Sequence, residues 1–87
     1  MTQDPSFHVV TRVQTGVRLE RRTVKVLKAL AEYLDMTLGD LMEGIFLHVF
    51  EGKTPFGDRT LEQIGRLKEV YGLDLDAAAS HRLRETE

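Results

Sequence analysis

From residue 12 to residue 20 the side chains alternate. Val13, Thr15, Val17 and Leu19 fall on one side, and Arg12, Gln14, Gly16, Arg18 and Glu20 on the other. A period of two predicts a strand with one buried face. The period then lengthens. Val24, Leu27, Leu30, Ala31 and Leu34 recur at threes and fours, with Lys25, Lys28 and Glu32 between them, which predicts an amphipathic helix over about 21–34. Val26 and Tyr33 widen its apolar surface beyond one stripe, as packing on more than one neighbour requires.

The next helix carries the clearest signals. Thr37 is a good N-cap, and Asp40 three residues later gives a weaker form of the capping box. Met36 and Leu41 are placed to form a hydrophobic staple around that cap. Leu38, Leu41, Met42, Ile45, Phe46, Val49 and Phe50 keep the helical period, and Gly52 supplies a left-handed end, so the helix spans about 38–51. Phe46, Phe50 and Tyr33 are therefore core candidates. The glycines and proline of residues 52–60 mark a loop. Thr60 with Gln63 forms a capping box for a third helix over about 61–71, lined by Leu61, Ile64, Leu67 and Tyr71 and ended by Gly72. A short terminal helix follows at about 75–84, capped by Asp74. Residues 1–11 hold no sustained pattern and are expected to be a flexible arm.

One strand cannot stand alone, because its backbone N–H and C=O groups need a ladder partner. No second alternating segment follows. The economical solution is pairing with the same strand of another copy, in a closed two-fold dimer. The fold expected is mainly α: one N-terminal strand pairing across a homodimer, two core helices over 12–52, and one or two further helices in a C-terminal extension over 53–87.

Charge sharpens this picture. The chain has a net charge of −2, yet residues 1–30 hold six cations against two carboxylates, a balance of +4. Residues 31–60 carry −4 and residues 61–87 carry −2. A basic first third on an acidic body can orient a protein on a polyanion. With no cysteine there are neither disulfides nor thiolate metal sites, and a cytoplasmic location is the natural expectation. No apolar run approaches the length of a membrane span.

Strand, turn, helix, the short loop "LDMT" and a second apolar helix within "VRLERRTVKVLKALAEYLDMTLGDLMEGIF" resemble the ribbon-helix-helix DNA-binding family of the Arc/MetJ type. The resemblance covers about residues 12–52. It implies a dimer that inserts a two-stranded antiparallel ribbon into the major groove. The positions matching the family's base-reading residues are Gln14, Gly16 and Arg18. Those matching its phosphate anchor are Thr37, Leu38 and Gly39. The anchor also has an independent physical basis, since a helix N-terminus offers free donors and a positive dipole end. Arg12, Arg21, Arg22 and Lys25 are further candidates for phosphate contact. Gly16 departs from the pattern, having no side chain to reach a base edge, and Glu20 is free to cap the first helix or to pair with Arg21 or Arg22.

Other chemistry is sparse. His8, His48 and His81 lack metal-ligand spacing, and the two carboxylates of "LDLD" at 73–76 fall short of a calcium loop. No nucleophile–base pair or phosphate-cradling glycine loop is present, so neither an enzyme nor a cofactor is expected. The leading expectation is a dimeric, sequence-specific binder of double-stranded DNA, most simply a transcriptional repressor. The alternatives are an antitoxin-like or adaptor dimer that grips a protein through residues 53–87, and a structural dimer without DNA binding.

Overall fold

The computed structural model describes residues 6–86. Three helices follow one another: α1 (Arg21–Tyr33), α2 (Leu38–Phe50) and α3 (Asp58–Tyr71). A single 3₁₀ turn, Ala77–Ala79, comes after them. Among the described residues no helix is long and apolar enough to cross a membrane.

Each helix start has a local cause. Glu20 caps α1, its carboxylate accepting from the Thr23 backbone N–H at 2.7 Å. Thr37 caps α2, its hydroxyl oxygen accepting from Asp40 N–H at 3.1 Å. The third helix begins three residues earlier than Thr60 suggests, after Gly57 and without a side-chain cap, so the expected capping box does not open it. Asp58 in its first turn faces the positive end of the helix dipole and favours that earlier start.

All three helices end in the same way. Met36 N–H reaches back to Ala31 O, Lys53 N–H to His48 O and Leu73 N–H to Lys68 O, each five residues upstream. The preceding residue is left-handed in every case, with φ of 57° at Asp35, 72° at Gly52 and 65° at Gly72. This is the Schellman ending, and glycine is its usual occupant. Asp35 takes that role in the turn between α1 and α2.

Packing centres on α1, which meets α2 and, more extensively, α3. Leu30, Ala31 and Leu41 are buried together, with Leu27, Leu34, Ile45, Phe56, Ile64 and Leu67 packed around them. Phe56, Ile64 and Leu67 belong to the extension over 53–87, so that segment contributes to the core rather than trailing from it.

Several expectations fail. The first is the N-terminal strand. Among the described residues there is no strand and no sheet, so the ribbon of a ribbon-helix-helix fold is absent while the mainly α character holds. The physical reason is the missing ladder partner: nothing else among the described residues offers a strand edge, and residues 7–20 run without regular structure. The face expected to be buried is open, with Val13 83% and Val17 67% exposed. The second concerns the aromatic core candidates. Phe46 and Phe50 are exposed because neither α1 nor α3 covers the distal half of α2, and Tyr33, the last residue of α1, is exposed as well. The terminal helix also shrinks to its 3₁₀ turn, capped by Asp76 rather than Asp74. Of the arm expected over 1–11, residues 1–5 lie outside the described residues, as does Glu87 of the extension.

Candidate nucleic-acid interface

The basic residues of the first third divide into two groups. Arg21, Lys25 and Lys28 stand at i, i+4 and i+7 on α1, a spacing that aligns them on one face. All three are exposed, and among the described residues none is engaged in an ion pair. Arg21 is the first residue of the helix, where the dipole disfavours a cation. The first turn of α1 contains no acidic residue to relieve it. Glu20, just before it, is the nearest compensating charge.

The stripe leads to the start of α2. Lys28 and Thr37, with Leu38, line one shallow cleft, whose rim also carries Glu32 and Asp35. Thr37 has already satisfied the Asp40 N–H, while helix geometry leaves the N–H groups of Leu38 and Gly39 without intrahelical acceptors. Of these, Leu38 shares the cleft lining with Lys28. That arrangement suits an oxyanion.

The second group is occupied by the protein's own carboxylates. Arg12 forms a two-pronged pair with Glu43 on α2, Nε to Oε2 at 3.2 Å and Nη2 to Oε1 at 3.0 Å. This bond raises the Arg12 pKa and holds the Glu43 carboxyl below the usual carboxylate range. Arg22 donates from Nε to Glu20 at 2.9 Å, and from Nη1 to both Gly72 O and Asp74 Oδ1, each at 2.9 Å. Arg22 thus ties the start of α1 to the end of α3, where a cation also complements the helix dipole. Three of its hydrogen bonds are thus made within the protein, unlike Arg21, Lys25 and Lys28. The Arg22 bond is the largest cause of the Glu20 pKa falling to about 2, with the Thr23 and Arg22 backbone N–H groups adding to it. Arg18 is paired with Glu85 near the C-terminus.

Gln14, Gly16 and Arg18 all lie in the exposed N-terminal segment. A Cβ added at Gly16 would meet nothing within 4 Å, so space alone does not require glycine there. His48 Nδ1 lies 2.7 Å from Gly44 O, one turn back on α2.

Residue spacing alone reveals the α1 stripe, since Arg21, Lys25 and Lys28 recur at i, i+4 and i+7. The long-range pairs Arg12–Glu43, Arg22–Asp74 and Arg18–Glu85 had one visible signal, the basic first third set against an acidic remainder. That signal also fits attraction to an external polyanion, so it did not by itself identify internal partners. No family model matches this chain, and no curated protein or solved structure shows significant similarity to it.

Proposed function

We propose that this protein binds double-stranded DNA as a homodimer, most simply as a transcriptional regulator. The observation that carries the reading is the open cation stripe of Arg21, Lys25 and Lys28, which begins at the positive end of the α1 dipole and reaches the cleft that Lys28 lines together with Thr37 and Leu38 at the start of α2. A protein gains nothing in stability from cations at that end of a helix. Phosphates along a duplex backbone are the ligand for which such a row is suited. In this reading Arg21, Lys25, Lys28, Leu38 and Gly39 hold the backbone, with Thr37 fixing the anchor. Gln14 and Arg18 reach base edges, since their side chains make two-pronged contacts to adenine and guanine, and Gly16 permits close approach between them. Arg12 adds a phosphate contact once released from Glu43.

The need for a second copy is argued from surface. A folded monomer of this mass exposes about 5,200 Å², whereas this chain exposes 8043 Å². The exposed surface includes large apolar side chains: Val13 and Val17 in the N-terminal segment, and Leu47, Val49 and Phe50 on α2. Only Val26, Leu30, Ala31 and Leu41 are buried among the described residues. A core that small does little against the chain entropy of folding. Closing two copies over the N-terminal segment and the distal half of α2 removes that surface and brings two basic segments together.

A protein partner on residues 53–87 has less support. Leu61 and Val70 are exposed on α3, but nine residues put them about half a turn out of phase, so they form no common patch.

The deciding experiment is selection of bound duplexes from a random pool, followed by footprinting at two salt concentrations. The reading expects enrichment of a site with two-fold symmetry and weaker binding at the higher salt. Unselective recovery, or no binding even at low salt, would overturn it.

A further inference from the structure

After Gly72 the chain turns back toward its own beginning. Asp74 and the Gly72 carbonyl bond to Arg22, 52 and 50 residues away in sequence, and Glu85 pairs with Arg18, 67 residues away. Between these contacts the segment is held by packing as well as charge. Leu73 and Leu75 are half-buried while Asp74 and Asp76 point outward. The 3₁₀ turn at Ala77–Ala79 and a left-handed His81, at φ 65°, then redirect the chain so that Glu85 arrives at the N-terminal segment. Residues 73–87 carry four carboxylates and two arginines.

We infer that the acidic C-terminal segment is an autoinhibitory strap, in which the Glu85 carboxylate occupies the Arg18 guanidinium and must be displaced before Arg18 reaches DNA. The inference rests on the DNA reading above. A guanidinium engages a carboxylate and a guanine edge through the same fork of N–H donors, so the two partners exclude each other at Arg18. Asp74 and Arg22 secure the root of the strap. Its tip is the releasable part: the Arg18 and Glu85 side chains are 83% and 68% exposed, and ion pairs that open exchange readily with solvent and salt. Such a strap tunes affinity rather than abolishing it. It also handicaps weak, non-specific contacts most, since those yield the least in return for releasing Arg18.

The test uses the full chain and two readouts. The protein has no cysteine, so Thr86→Cys accepts a single nitroxide label. In the free protein the amide signals of residues 12–18 should broaden through proximity to the label, and a saturating random-sequence duplex should restore them. In parallel, Glu85→Gln should bind that duplex about two- to five-fold more tightly at low salt, the scale of an exposed ion pair. The gain should vanish in an Arg18→Ala background. Absence of broadening in the free protein overturns the strap. So does equal affinity of Glu85→Gln and a wild type that binds. If neither protein binds duplex at all, the DNA reading itself fails and takes the competition with it, even if the label still reports contact between the two ends.

Discussion

Arg22 Nε donates to Glu20 Oε1 at 2.9 Å, while the other oxygen of the same carboxylate accepts from Thr23 N–H at 2.7 Å and the Thr23 hydroxyl at 2.9 Å. One side chain therefore caps α1 and orients the arginine that joins α1 to the end of α3. The carboxyl is held at about 2, against an ordinary value of 4.5. A folded-state pKa below the unfolded value stabilises the fold wherever the group is ionised in both states. The contribution is thus complete above about pH 4.5 and is lost as the pH falls toward 2. Thermal unfolding followed by circular dichroism should show the midpoint dropping through that window. Glu20→Gln should lower the midpoint at neutral pH and flatten its acid dependence. An unchanged acid profile in the variant would remove Glu20 from this role.

Base reading and phosphate holding leave different marks on affinity. Arg18→Ala is expected to cost roughly 1–3 kcal/mol against the preferred duplex and to relax one base position. Lys25→Ala should weaken all duplexes alike and reduce the slope of log affinity against log salt by about one. Fluorescence-anisotropy titrations over a salt series separate the two. If Arg18→Ala behaved as Lys25→Ala does, Arg18 would be a phosphate contact and not a reader.

Leu30 is 2% exposed at the centre of a small core. Leu30→Ala should cost about 2–5 kcal/mol, the range for a buried leucine whose cavity cannot collapse. Urea unfolding measures it. A cost below about 1 kcal/mol would mean that the stability resides elsewhere.

Two substitutions should stabilise the fold. Asp35 holds φ 57° where Gly52 and Gly72 end the other helices, so Asp35→Gly should add about 0.5–1 kcal/mol by relieving the left-handed strain. Gly65 lies inside α3 with nothing within 4 Å of an added Cβ. Gly65→Ala should therefore add about 0.5–1 kcal/mol through helix propensity. Denaturant midpoints at constant slope check both.

The helices were legible because their signals are local. Thr37, Gly52 and Gly72 perform the capping roles that their positions suggest. What escaped depends on contacts between distant segments. Val13, Val17 and Leu19 do alternate along the chain, but a period does not supply the neighbour that turns it into a sheet, and no strand forms there. At the other end, "LDLD" alternates too: Leu73 and Leu75 are half-buried in an irregular segment where a helix was expected to begin. Asp74, expected to be a cap, is drawn instead to Arg22. For the candidate interface, the α1 stripe and the α2 anchor could be read from spacing. The pairing of Arg12 and Arg18 with distant carboxylates could not, because many Glu and Asp residues were equally available partners.

The most direct measurement is sedimentation equilibrium of the protein alone and with a short duplex. The expected result is a mass near twice 9.9 kDa for the free protein, and two chains per duplex in the complex. A monomer at micromolar concentration that leaves the duplex sedimenting alone at low salt would contradict the central claim.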